Sequence, residues 1–462
     1  MRKKSQLFLL FLLWLASACQ TFPRPGQVSA VSPEIAVLPP SLTIAASPTS
    51  TVTAFPSATP TKTLIPTPLP TATPTVVIIP AAQQFEIFEQ LWKTIRDDYL
   101  YADLNGLDWE AVHNDYRNRM QSGLAEGGFS QLMNEMIGLL GDDHSIYLSP
   151  DDVREEEAKF AGENEYVGIG VLMTAIPERD RAVILTIFPG SPAAEAGLLS
   201  RDSILQVEGE PILDEDGLVR DVVRGPEGSS LRLTIQTPGQ EPRQLTLQRQ
   251  RITGPAPVPY QLITSPDGKR IGYILVVNLN DSSIDEQVST ALSTMAAEAP
   301  LDGLILDNRF NTGGADSELR GLLSLFTRGT LGHFISRTEE RPLVVDGREV
   351  ARSQNLPLVI LVGPGTVSYG EILSGVLRDI GRAYIIGETS EGNVETLWGY
   401  DFEDESRAWL AHESFRPLNR PEQNWEETGI IPDLTVPNQW DQATVNDDPA
   451  ILSSLDYFDG LP

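Results

Sequence analysis

Four short segments hold residues whose types and order suit acyl transfer. In 359–373 (VILVGPGTVSYGEIL) an apolar run passes through a turn into a helical pattern, with Ser368 on the turn. In 304–314 (LILDNRFNTGG) another apolar run ends on Gly313-Gly314, while GDDHS (141–145) supplies His144 and WEETGIIPD (425–433) supplies Glu426. A serine hydroxyl attacks a carbonyl only if a base takes its proton. Imidazole does so near neutrality, and a carboxylate fixes its tautomer. Ser368, His144 and Glu426 therefore read as nucleophile, base and orienter. A serine entering a helix also faces N–H groups that can hold a developing oxyanion, and glycine lets a second strand end approach closely. The N–H groups of Gly314 and Tyr369 are the expected oxyanion hole. Each turn alone is an ordinary α/β connection; the set is what carries the reading.

Composition narrows the alternatives. The formal net charge of -30 leaves no basic surface for phosphates, so nucleic-acid binding is not expected. One cysteine excludes an internal disulfide, and the four histidines (His113, His144, His333, His412) lack the short spacings of a zinc site. No metal or organic cofactor is expected. Residues 1–19 begin with Arg2, Lys3 and Lys4, continue through an apolar run to Ala16, and end LASAC. The run is shorter than the ~20 residues that cross a bilayer, so it reads as a secretory signal. LASAC resembles a bacterial lipobox, which makes Cys19 the expected lipid-modified residue; an ordinary cleaved signal is the alternative. Residues 20–82 are rich in proline and threonine and cannot bury enough apolar surface to fold. They read as a stalk, implying an extracytoplasmic protein tethered to a membrane by its lipid.

The elements that must position the site follow. In 83–163, Phe85, Phe88, Leu91, Trp92 and Ile95 share a helical face, and amphipathic segments recur at Trp109–Met120 and Phe129–Leu140. This predicts a helical N-terminal domain. Residues 164–252 give YVGIGV, AVILTIF, SPAAEAGL and D-x-I-L-x-V-x-G in that order, with a second helix expected near Asp216–Val223. The order resembles a PDZ domain. Such domains add a peptide C-terminus at a sheet edge, so Val167, Gly168, Ile169 and Gly170 would be the carboxylate-binding loop; a PDZ-shaped spacer without peptide affinity is the alternative. In 253–436, apolar strands (271–277, 303–307, 358–362, 383–386) alternate with helices, indicating an α/β domain with a largely parallel sheet. Residues 437–462 read as an acidic tail.

LILDNRFNTGG and VGPGTVSYGEILSGVLRDIGRAYIIGE, with the PDZ-like unit upstream, resemble the carboxyl-terminal processing peptidases over roughly residues 85–436. The resemblance implies a serine endopeptidase acting on peptides or proteins recognised at their C-termini. Typical members use a lysine base. Here the stretch is GETSEGNVETL and Asn393 stands at the lysine position; an amide cannot take a proton at neutral pH. A second branch, the tricorn-type proteases, uses serine, histidine and glutamate. His144 and Glu426 match that pattern, which implies a Ser-His-Glu site in place of Ser-Lys. Glu427 is the adjacent alternative to Glu426 and His412 a rival base. Ser145 is placed to orient His144, whereas Asp379 and Arg382 are expected to organise a turn. A catalytically inactive peptide-binding protein and an esterase-like acyl hydrolase are the competing functions.

Overall fold

The computed structural model describes residues 80–461, apart from 121–123, 143 and 161–164. Cys19 and nearly all of the proline-rich segment lie outside the described residues. Among the described residues no helix is long and apolar enough to cross a membrane.

The centre is a six-stranded sheet in the order Tyr260–Thr264, Arg270–Leu275, Gly303–Asp307, Leu358–Val362, Tyr384–Gly387, Leu434–Thr435. The first pair is antiparallel and the other four pairings are parallel. Period-two alternation sorts its side chains onto two faces. Ile274, Leu304, Leu306, Ile360 and Ile385 pack under the helices Ile284–Met295, Asp316–Phe326 and Tyr369–Asp379. On the other face, Ile271, Tyr273, Ile305, Val359 and Ile386 meet Val183 and Leu185 of the PDZ-like unit and a C-terminal helix.

That C-terminal helix corrects the expectation of an acidic tail. Pro449–Asp459 is helical, capped by the Asp448 side chain, and buries Ala450, Ile451, Leu455 and Phe458. Asp448 is itself fully buried between Arg201 and Arg309 (2.8 Å each), and both guanidiniums lie over the ring of the buried Trp440. Burial works against ionisation of Asp448, yet the two arginines hold its pKa at about 2. The segment's acidic composition hid a cap, a proline at the first helical position and an apolar stripe.

The PDZ-like unit has a sheet ordered Val171–Ile176, Arg181–Ile187, Ser203–Val207, Ser230–Gln236, Arg243–Gln248, with the expected short helix at Pro192–Glu195. The second helix near Asp216–Val223 is absent. Asp214 instead accepts from the N–H groups of Asp216 and Leu218, and Arg249 ties the carbonyls of Val222 and Val223, so the segment is fixed as turns. Val167 and Gly168 belong to a strand, Tyr166–Gly168, paired with Gln250–Ile252, so only Ile169 and Gly170 are loop as expected.

The N-terminal helices Ala81–Asp98, Trp109–Arg119 and Glu126–Gly138 bury Ile87, Phe88, Leu91, Trp92 and Ile95 in a core that also takes in Leu397, Trp409 and Leu410. They are stitched to the rest by the strand Ile146–Leu148, which pairs with Arg407–Pro417 in a second, five-stranded sheet. This pairing begins two residues after His144.

Candidate active site

Ser368 sits between the strand Leu358–Val362 and the helix Tyr369–Asp379, with φ 55° and ψ −127°. A serine in this region costs on the order of 1–3 kcal/mol and persists only where its surroundings over-determine it. The determinants are visible. Its N–H donates to the Asn393 carbonyl (2.7 Å) and lies 3.2 Å from Glu371 Oε2. The buried Glu371 also accepts from Ser390 Oγ (2.6 Å), Gly392 N (2.8 Å) and Asn393 N (2.8 Å). Burial raises the Glu371 carboxyl to about 7 even against those bonds. The sequence reading did not single out this carboxylate, although its position three residues into the helix is a capping signal.

The 308–314 turn packs onto the same place. Asn308 Nδ2 donates to the Gly370 carbonyl and Ser374 Oγ (2.8 Å each), and the Asn311 carbonyl accepts from Val367 N (2.8 Å). Gly313 has φ +82°, and a Cβ there would fall 2.7 Å from Ser368 Cβ and 3.0 Å from its Oγ. Only glycine admits this approach. Gly313 N is used by Asn311 Oδ1, whereas the N–H groups of Gly314 and Tyr369 make no hydrogen bond within the described residues. They remain free to receive an oxyanion.

His144 is buried, its loop tied by Asp142, which accepts from the N–H groups of His144 (3.0 Å) and Ser145 (2.7 Å). Ser145 Oγ donates to Asp142 and accepts from Ala411 N, so it anchors the loop to the second sheet rather than touching the ring. His144 Nε2 lies 3.1 Å from Glu426 Oε1, and Nδ1 has no partner. Glu426 Oε2 accepts from Val394 N (2.7 Å) and Glu395 N (3.3 Å). Glu427 is exposed, which separates it from Glu426.

A second carboxylate was not expected. Glu395, buried, places Oε2 3.9 Å from His144 Nε2, and its Oε1 accepts from the Tyr101 hydroxyl. No local pattern marks either residue; only the fold brings them together. Burial would lower the imidazole pKa, but the hydrogen bond to Glu426 and the charges of Glu426, Asp142 and Glu395 carry it to about 9. Burial, with the Glu426 charge, lifts Glu395 to about 7. Among the described residues, the facing atoms of His144, Glu395 and Glu426 all lie within 4.8 Å of one another.

The Ser368 hydroxyl and the His144 ring are not hydrogen-bonded to each other. They meet across the 393–395 segment: Asn393 holds the Ser368 backbone, while Val394 and Glu395 hold Glu426. Asn393 thus sits beside the nucleophile candidate, at the place expected for the missing lysine. His412 is elsewhere, stacked on Trp398 with Nδ1 near the Asp98 carbonyl and the Tyr400 hydroxyl. Asp379 and Arg382 bind the backbone of neighbouring turns.

A serine on a strand-to-helix turn of an α/β domain, free N–H groups beside it and a carboxylate-bound imidazole brought in from the N-terminal domain are the parts expected of a serine-type peptidase, and comparison with known proteins agrees. Residues 270–436 match peptidase family S41, residues 80–138 the tricorn protease C1 domain and residues 183–237 a PDZ domain. The chain is thus a serine-type peptidase that carries an S41 peptidase domain and is similar to carboxyl-terminal-processing proteases. It is 29% identical to a carboxyl-terminal-processing protease of Synechocystis over 77% of this chain and 81% of that one. It is 26% identical to the chloroplastic carboxyl-terminal-processing peptidase 2 of Arabidopsis thaliana, over 77% and 69%. In fold it resembles a photosystem II D1 C-terminal processing protease (TM-score 0.53, 24% identity, 77% of this chain and 93% of that one).

Proposed function

We propose that this chain is an extracytoplasmic endopeptidase, tethered to a membrane through a lipid on Cys19, that cleaves peptides or proteins by a Ser368–His144–Glu426 relay. The PDZ unit presents substrate C-termini. The observation that carries the relay is the His144–Glu426 pair: Nε2–H donates to Glu426, which leaves the Nδ1 lone pair as the base. Ser368 Oγ attacks the scissile carbonyl as its proton passes to Nδ1, and the N–H groups of Gly314 and Tyr369 receive the oxyanion. The imidazolium then protonates the leaving amine, and water hydrolyses the acyl-enzyme by the reverse steps. Catalytic hydrogen bonds often close only in the substrate complex, so the open Ser368–His144 gap is compatible with this role. Location rests on the basic-apolar-LASAC sequence of residues 1–19 and the proline-rich segment after it.

The test is cleavage of an unfolded protein by the wild type and by Ser368→Ala and His144→Ala. Ser368→Ala should abolish turnover with unchanged thermal stability, and His144→Ala should reduce it ~10²–10⁴-fold. Near-normal turnover in His144→Ala would reject it as the base. A second reading is favoured by Asn393 and by the unmade Ser368–His144 bond: a peptide-binding protein that cleaves nothing. A wild type inert on many substrates but retaining C-terminal peptides would establish it.

A further inference from the structure

We propose that Glu395 is a positioning residue, a second carboxylate that holds His144 as imidazolium and so sets how much of the ring is available as base at neutral pH. The proposal rests on His144 being the base. Nε2 is hydrogen-bonded to Glu426 Oε1 at 3.1 Å, and the charge of a second carboxylate, Glu395 Oε2, lies 3.9 Å away. Each carboxylate is pinned by its other oxygen: Glu395 by the Tyr101 hydroxyl, Glu426 by the N–H groups of Val394 and Glu395. The groups facing the ring are Asp142 from its own loop, and Glu395 and Glu426 from the α/β domain, with Tyr101 and Tyr99 behind them. None is a cation. Among the described residues, neither Glu395 nor Glu426 pairs with a lysine or arginine.

Buried carboxylates without a counter-ion are costly, and the only cation this site can make is the imidazolium. An imidazolium has no lone pair and cannot take the serine proton. A relay needs one carboxylate on the ring; here there are two, and the surplus one is tied to the N-terminal helical domain through Tyr101. Removing the Glu395 charge takes one anion from the ring, so the imidazolium gives up its Nδ1 proton to solvent at lower pH and more of the ring has a free Nδ1 lone pair at neutrality. The ring is displaced upward, with the Glu395 charge among the causes after Glu426 and Asp142.

The experiment compares the full-length wild type with Glu395→Gln, which keeps the shape and a Tyr101 acceptor but removes the charge. NMR of the histidine ring, in a Ser368→Ala background and assigned by difference with His144→Ala, reads the His144 titration directly. The midpoint should fall by at least about one pH unit. The rising limb of kcat/KM against pH should move by the same amount, with turnover at pH 7 up about tenfold. A ring that titrates as in the wild type overturns the proposal. A ring that shifts while the rate profile does not leaves Glu395 in its role and removes His144 as the base. Should Glu395→Gln not fold, Tyr101→Phe takes its place; loss of that hydrogen bond weakens the Glu395 anion, and the same displacement, smaller, is expected.

Discussion

Ser368 is held by its own domain. Its N–H, the capping carboxylate of Glu371 and the Gly313 turn all come from one α/β unit, and apart from the free N–H groups of Gly314 and Tyr369 the backbone there is held by hydrogen bonds, with Glu371 as the charge at its centre. His144 reaches the same place from the N-terminal helical domain, by way of a strand paired into the second sheet, and lands between two carboxylates with one ring nitrogen unused. One half is preorganised by geometry; the other is poised by charge. A site built this way has its nucleophile permanently aimed while its base depends on where a proton rests and on how closely two domains meet.

The contrast can be broken first at Glu426. In Glu426→Gln the side chain has one oxygen for two duties. If it faces the N–H groups of Val394 and Glu395, its amide N–H₂ faces Nε2 and drives the ring proton onto Nδ1, the wrong tautomer. Turnover should drop ~10³–10⁴-fold with little change in stability, while Glu427→Gln stays within about twofold. Equal effects at the two positions, read as kcat/KM, would dissolve the distinction between them.

The serine half predicts a different response. Glu371→Ala strips the acceptor from Ser390, Gly392 and Asn393 at once and releases the backbone of Ser368. Unsatisfied buried donors cost about 1–3 kcal/mol each. Unfolding free energy should therefore fall by about 3 kcal/mol or more, with turnover down ~10²–10³-fold, checked by urea titration beside kinetics. Loss of activity at unaltered stability would mean that Glu371 takes part in the chemistry rather than holding the turn. Gly313→Ala is gentler. The added methyl displaces Ser368, and a displacement of this size costs ~10²-fold in kcat with KM nearly constant.

How much of this was legible in the sequence follows the same division. The strand Leu358–Val362 is an unbroken apolar run and Gly303–Asp307 is apolar up to Asp307, so their ends, with Gly313, Gly314 and Ser368, could be placed by local pattern. His144 and Glu426 were reached through resemblance. Glu395 and Tyr101 carried no signal, because a carboxylate in a strand-like stretch and a tyrosine after a helix are ordinary until the domains meet. The C-terminal helix was legible in principle, by its Asp448-Pro449 start and its apolar stripe, but net acidity outweighed them. The absent PDZ helix failed for the opposite reason: Asp214 and Arg249, one on each side of the segment in sequence, fix a turn that helical composition does not reveal.

The smallest effect separates the halves by pH. Glu371 and Glu395, both lifted to about 7 chiefly by burial, favour the protonated fold. Their contribution is full below the unfolded value of about 4.5 and lost as pH rises through 7. His144, carried to about 9, contributes fully below about 6.5 and loses it as pH rises through 9. Asp448 runs the other way: held at about 2, it stabilises above about 3.8 and ceases to as pH falls through 2. Stability should therefore peak on the acid side of neutrality and decline toward pH 9, by about 1 kcal/mol per pH unit for each such proton. Turnover should climb over the same interval as the imidazole loses its proton. Urea unfolding at pH 5, 7 and 9 beside kcat at each pH measures both. Glu395→Gln should flatten the decline between 5 and 7 while leaving the Asp448 edge in place. A stability curve that is level from pH 5 to 9 would mean the carboxylates around His144 ionise freely, and the base half would then be as settled as the serine half.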